Sequence, residues 1–151
     1  MMASLYTLPK EMYAEIARFL GADFPSDGFR RAAGTIQIRD DIDNRTYLNG
    51  VLHSFNDQPA MINAGGDQYW FQHGKFHRDD DSPAIVYANG DQYWFQHGKF
   101  HRDDDSPAIV WANGERRWYQ LGKNHRDNGP AIIYANGIAE YWLNGKRVWR
   151  L

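Results

Sequence analysis

The chain has 151 residues, 42% of them hydrophobic and 15% aromatic, with 19 acidic against 17 basic side chains and a formal charge of −2. That length is ordinarily one domain, and the apolar share excludes the weakly hydrophobic, highly charged signature of a disordered chain. No cysteine is present, which excludes a disulfide framework, a thiolate metal site and a thiol nucleophile.

No apolar run approaches the length of a membrane span, and residues 1–20 lack the basic-then-apolar layout of a signal peptide, so a cytoplasmic location is the default expectation. Charge is unevenly spread. Residues 1–114 hold 10 basic and 16 acidic side chains, and residues 115–151 hold 7 and 3.

In chain order, residues 8–20 predict the one convincing helix. Leu8, Met12, Ile16 and Leu20 recur every four residues with Phe19 widening the stripe, Thr7 can cap the start and Gly21 stops it. Residues 23–43 carry turn formers and scattered charge; a short helix near 29–33 and a strand near 35–39 are expected there. From Arg45 onward the pattern changes, which divides the chain into a cap region, 1–44, and a repeat region, 45–151.

The repeat is nearly verbatim. Residues 66–89 read GDQYWFQHGKFHRDDDSPAIVYAN, and residues 90–113 repeat them with Trp111 in place of Tyr87. His53, His77, His101 and His125 keep the same interval, as do the glycines Gly50, Gly74, Gly98 and Gly122. A segment this short cannot bury a core alone, so neighbouring units must stack and share one. About four and a half units run to the C-terminal end of the sequence.

Each unit reads as a hairpin. Asn49-Gly50, Asn89-Gly90, Asn113-Gly114, Asn136-Gly137 and Asn144-Gly145 separate aromatic or β-branched runs, and His73-Gly74 and His97-Gly98 hold the corresponding place within their units. Two-residue type I′ turns predict that Phe71 faces Phe76, Trp70 faces His77 and Tyr69 faces Arg78, and that Val86 faces Tyr93 and Ile85 faces Trp94. Pro107 lacks a ladder donor and belongs at a break. The expected fold is mainly β: a single extended antiparallel meander of repeated hairpins with one N-terminal capping helix.

The unit from Tyr93 to His101 (YWFQHGKFH), followed by Ala108 to Gly114 (AIVWANG), resembles the MORN repeat. The insertion Asp103-Asp104-Asp105-Ser106-Pro107 departs from the usual glycines after the His. The variant resembles repeat proteins of large DNA viruses and some bacteria, in which a short F-box-like N-terminus sometimes precedes the repeats. Leu8-Pro9-Lys10-Glu11-Met12 looks like the start of an F-box helix. The resemblance thus implies a host-cell cytoplasm or virion setting.

The recurring polar residues point away from chemistry. Equivalent histidines in successive units stand two strands, about 9.5 Å, apart, too far to share one zinc ion with ligands about 2 Å away, and packing against Trp70 or Trp94 is the expected role. The Asp79–Asp81 and Asp103–Asp105 tracts lack the spacing of a calcium loop and read as a solvated acidic edge. No unique pocket for a nucleophile and base emerges from duplicated geometry. The expectation is therefore no enzyme, no cofactor and no metal.

A protein partner is expected, with no nucleic acid, since acidic loops repel phosphate, and with no membrane lipid. The leading reading is a non-enzymatic interaction or scaffold protein; the alternative is an F-box-type ubiquitin-ligase adaptor docking through its N-terminal helix. Candidate partner-binding residues are Leu8, Met12, Ile16 and Leu20 on that helix and Trp70, Trp94, Trp118 and Trp142 on the sheet. The charge asymmetry predicts a monomer or a salt-sensitive dimer.

Overall fold

The computed structural model describes residues 29–32, 35–40 and 45–149; the helix expected over residues 8–20 lies outside them. Every regular element among the described residues is a β-strand. All pairings between them are antiparallel.

The first four strands form one sheet in chain order: Phe29–Ala32, Thr35–Asp40, Arg45–Leu48 and Val51–Leu52. The strand expected near 35–39 is present. The short helix expected near 29–33 is instead a strand, because Phe29–Ala32 pairs in register with Ile38–Thr35, and tertiary pairing overrides weak local propensity. Gln37 to Asp40 pair in turn with Leu48 to Arg45, so strand pairing crosses the boundary at residue 44. Thr46 N–H then donates to the Ala60 carbonyl at 2.7 Å, joining this sheet to the repeats.

A nine-stranded sheet forms the spine. Its strands, in spatial order, are Met61–Ile62, Gln68–Tyr69, Ile85–Val86, Gln92–Tyr93, Ile109–Val110, Arg116–Arg117, Ile132–Ile133, Ala139–Leu143 and Lys146–Val148. Between alternate spine strands the chain leaves to make a small hairpin: Phe71–Gln72 with Lys75–Phe76, Phe95–Gln96 with Lys99–Phe100, and Tyr119–Gln120 with Lys123–Asn124. The single meander of long strands is thus resolved into a spine and a parallel row of tip hairpins. The break falls at the tryptophan of each unit. Trp70, Trp94 and Trp118 donate their N–H to Ala84, Ala108 and Ala131 at 2.7, 2.8 and 2.8 Å, and accept at their own carbonyl from His77, His101 and His125 at 3.2, 3.2 and 3.1 Å.

The tip hairpins have the expected register: Phe71 faces Phe76 and Gln72 faces Lys75. Both turn residues have positive φ at His73-Gly74 (49° and 74°) and at Asn144-Gly145 (51° and 80°), the type I′ geometry. The spine turns differ. Gly90 has φ 94° but Asn89 does not enter the left-handed region. Tyr87 N–H donates to Asp91 O and Gly90 N–H to Tyr87 O, both at 2.9 Å. This is a three-residue loop, a type I turn followed by a left-handed glycine, and Asn89 Oδ1 accepts from Asp91 N–H at 3.0 Å.

One extra loop residue moves the register by one. Ile85 therefore faces Tyr93, not Trp94, and Val86 faces Gln92, not Tyr93; separately, the break at Trp70 returns Tyr69 to the spine, where it faces Ile85 and not Arg78. A one-residue shift exchanges the two faces of a strand, so the tyrosines share a face with the isoleucines and the tryptophans turn to the other side.

The buried residues recur once per unit: Ala60, Ala84, Ala108 and Ala131 have no exposure, and Ile85, Ile109 and Ile132, like Trp70, Trp94 and Trp118, are buried. The small alanines permit close approach, and each tryptophan fills the space that its unit leaves open.

Candidate functional site

Most of the recurring polar residues are used to lock one unit to the next. Arg78 forks onto Asp57 of the preceding unit, with Nε to Oδ1 and Nη2 to Oδ2 both at 2.7 Å. Arg102 does the same to Asp81 at 2.8 and 2.7 Å, and Arg126 to Asp105 at 2.8 and 2.9 Å. The third Nη1 arm donates to the carbonyl of Pro83, Pro107 or Pro130. Each guanidinium also lies over an indole: Arg78 is 3.8 Å from the Trp70 ring centre, Arg102 4.0 Å from Trp94 and Arg126 4.1 Å from Trp118.

The indole N–H reaches back across the same joint. Trp70 Nε1 donates to Asp57 O at 3.1 Å, Trp94 to Asp81 O at 2.9 Å and Trp118 to Asp105 O at 2.8 Å. The aspartate thus holds the next unit with both its carboxylate and its carbonyl. Hydrogen bonds from the arginine keep the carboxyls of Asp57, Asp81 and Asp105 below their ordinary range.

The tracts read from sequence as a solvated acidic edge therefore divide their work. The first aspartate bonds its own histidine (Asp79 to His77 Nε2 at 3.0 Å, Asp103 to His101 Nε2 at 3.1 Å). The second, Asp80 or Asp104, is exposed, and the third is the inter-unit clamp. Asp80 and Asp81 have φ 57° and 50°, as do Asp104 and Asp105 at 59° and 54°. Aspartate tolerates that left-handed region where most side chains do not.

The histidines act at the same joints. His53, His77, His101 and His125 accept through Nδ1 from the backbone N–H of His73, His97, Leu121 and Asn144 at 3.1, 3.2, 3.2 and 3.1 Å. A backbone N–H can only donate, so the neutral ring carries its proton on Nε2, where Asp79 or Asp103 accepts it. The ring faces do not rest on tryptophan, which arginine occupies. His77 stacks instead on the turn residue His97, centroids 4.5 Å apart and planes 15° apart, and His53 lies 4.8 Å from His73. Burial, then the neighbouring His73, pushes the His53 imidazole below its ordinary value.

Among the described residues, no group of three or more His, Asp or Glu side chains converges as metal ligands do. Open clefts recur between successive acidic loops, one bounded by His77, Trp94, Gln96 and Asp103 and the next by Arg102, Trp118, Gln120 and Asp127. Their repetition mirrors the repetition of the units.

Of the sequence-derived partner residues, Trp70, Trp94 and Trp118 lie in the core at 4%, 6% and 5% exposure. Trp142 is half-buried and donates to Glu140 Oε2 at 2.9 Å. The loop before it, Asp127-Asn128-Gly129-Pro130, is one residue shorter than Asp103 to Pro107, and the indole bonds the Glu140 side chain in place of a loop carbonyl. Leu8, Met12, Ile16 and Leu20 lie outside the described residues.

A different aromatic surface emerges on the isoleucine side of the spine. Tyr69, Tyr87, Tyr93 and Trp111 form a row with centroids 6.1, 5.2 and 5.9 Å apart. Phe71, Phe76, Phe95, Phe100 and Tyr119 form a second, at 4.4, 5.2, 4.1 and 5.1 Å. Tyr69–Phe76 and Tyr93–Phe100 contacts at 6.3 and 6.1 Å tie the rows together. All but Phe71 are half-buried. The first row is extended by Arg117, 5.0 Å from Trp111 and 6.0 Å from Tyr134.

Sequence reasoning missed this face because it depends on the loop type of the spine turns. The clamps, by contrast, had a signal: an aspartate precedes an arginine by 21 residues three times, at 57 and 78, 81 and 102, and 105 and 126. Comparison with known proteins gives no matching family model and no matching curated protein.

Proposed function

We propose that the chain is a non-enzymatic interaction protein, a MORN-like hairpin array that presents its tyrosine and phenylalanine face to a protein partner. One observation carries this reading. The recurring histidines and arginines, and two of the three aspartates in each acidic tract, are engaged in bonds within or between units, whereas eight half-buried rings form one continuous surface with no recurring structural bond of that kind. Large, stiff, half-exposed aromatic side chains are what the centre of a protein interface is built from. Burial raises the Tyr69 and Tyr93 phenols above their ordinary value, so these two hydroxyls are neutral donors over the physiological range.

A photo-crosslinking side chain placed at Tyr93, and in a second variant at the exposed Asp104, tests the reading in the native cell. Discrete adducts to one protein from position 93 and none from position 104 support it. Silence at 93, with Tyr69, Tyr87 and Tyr119 equally silent, overturns it.

A further inference from the structure

The lysines of the tip turns and most of the arginines of the array are used differently. Arg78, Arg102, Arg117, Arg126 and Arg147 each meet a carboxylate, at 2.7 to 3.4 Å. Lys75, Lys99, Lys123 and Lys146 are exposed, and no ion pair or hydrogen bond engages their ammonium groups among the described residues.

These four stand in one column. Each follows the glycine of a tip turn, and the turns stack: Gly98 N–H donates to Phe76 O, Gly122 to Phe100 O and Gly145 to Asn124 O, at 2.9, 2.8 and 2.9 Å. The stem of each lysine lies along the next turn, so that a Cβ built at Gly98 meets Lys75 at 3.5 Å, at Gly122 Lys99 at 3.7 Å and at Gly145 Lys123 at 3.6 Å.

Packing does not require the charge. In the first unit Val51 fills the same place, 3.4 Å from the corresponding point at Gly74. Neighbouring positions change freely between units, from Phe100 to Asn124 to Arg147 and from His97 to Leu121 to Asn144, yet the lysine stays. The ammonium groups are thus a regular row of unspent positive charge, with a step of two strand widths, about 9.5 Å.

We infer that this column docks an acidic protein segment in the polyproline II conformation, with a carboxylate at every third residue. A polyproline II helix has three residues per turn and rises about 3.1 Å per residue, so every third side chain lies on one face at about 9.3 Å intervals. That pitch matches the lysine step, and the charges are complementary. An extended β-strand places residues three apart on opposite faces, and duplex DNA carries a charge every ~1.7 Å, so neither keeps step with the column. The inference rests on the interaction reading and gives it a partner chemistry and a second surface.

The test uses the whole chain and a fluorescent peptide of repeated Glu-Pro-Pro triplets, against a peptide of identical composition with its glutamates in one block. Anisotropy at low salt is expected to show the triplet peptide binding about tenfold more tightly, with binding lost at high salt. The Lys75→Met/Lys99→Met/Lys123→Met variant keeps the packing stems; it is expected to lose binding with an unchanged melting temperature. Equal binding of the two peptides, absence of binding, or tighter binding of oligothymidylate or of phosphatidylserine vesicles each overturns the inference. Adducts from position 93 without peptide binding discard the lysine column alone, whereas silence in both experiments discards the interaction reading as well.

Discussion

Arg102 and Asp81 lie 21 residues apart in sequence and meet through two parallel hydrogen bonds of 2.8 and 2.7 Å, while the same guanidinium rests 4.0 Å from the centre of the Trp94 ring. The side chain of Arg102 is largely buried and that of Asp81 is 55% exposed, so solvent screens much of the ion pair and the stacking carries the larger share. Arg102→Ala is expected to destabilise by about 1–2 kcal/mol, with a coupling to Asp81→Ala below about 1 kcal/mol. Asp104→Ala, one residue before the third aspartate of its tract, is expected within about ±0.5 kcal/mol. Urea unfolding of the single and double variants checks all three; an Asp104→Ala as costly as Arg102→Ala would reverse the division of labour among the aspartates.

Leu121 occupies the turn position that His73, His97, Asn49 and Asn144 fill elsewhere, with φ 50° and 63% of its surface exposed. A leucine in the left-handed region costs roughly 1 kcal/mol more than asparagine, whose short amide tolerates it. Its backbone N–H bond to His101 Nδ1 at 3.2 Å holds the turn in that conformation regardless of residue type. Leu121→Asn should therefore stabilise by about 1 kcal/mol, seen as a higher melting temperature with the hairpin signals of the neighbouring units unchanged. A loss of stability would mean that the Leu121 side chain makes a contact its exposure does not show.

These two positions mark what was legible. The hairpin row was, because His-Gly and Asn-Gly set type I′ turns from two residues alone, and the turn at Leu121-Gly122 was carried by the period rather than by its composition. The spine turns were not, because Asn-Gly serves two loops. At Asn49 and Asn144 the asparagine itself enters the left-handed region, and at Asn89, Asn113 and Asn136 it does not. That difference is one residue of register, and it decides whether Trp94 or Tyr93 shares the side of Ile85. The sequence thus offered Trp70, Trp94 and Trp118 as partner-binding residues and left the tyrosines without a role, whereas those tryptophans are buried and the tyrosines half-buried. The joints between units left a trace in the 21-residue Asp–Arg interval, yet their geometry was not legible, because Asp81, Trp94 and Arg102 lie in separate segments between strands and meet only when one unit is laid on the next.

Acidification should weaken the array in two stages. His53 is held below its ordinary value of 6.5 by burial and by His73, so the unfolded chain takes up a proton on falling below that value before the folded chain does. Its contribution is complete above 6.5 and is lost as pH falls from there to the lowered folded value. The carboxyls of Asp57, Asp81 and Asp105 are lowered by their arginines; their contribution is complete above the ordinary 3.8 and is lost as pH falls through the folded values. Melting curves from about pH 7 to about pH 5 should fall for the natural chain. They should fall less for His53→Asn, whose Oδ1 can accept from His73 N–H without titrating. Identical slopes for the two chains would remove His53 from the account.

Removal of one complete unit should leave a folded protein. Deleting residues 90–113 joins Asn89 to Gly114, the same pair of residue types that meets at Asn89-Gly90. His77, Asp81 and the Asp81 carbonyl then face Leu121, Arg126 and Trp118, the partners that His101, Asp105 and the Asp105 carbonyl hold now. The only residue change beside the new joint is Tyr87 where Trp111 stood. In a stacked array, stability is a sum of unit terms and nearest-neighbour terms, so the shortened chain loses one of each. It should unfold in a single transition at lower denaturant, with an m-value reduced by about a sixth in proportion to the surface removed. A shortened chain that lacks near-ultraviolet tryptophan dichroism would show that the joints are not interchangeable, and that the near-identity of residues 66–89 and 90–113 does not extend to their roles in the stack.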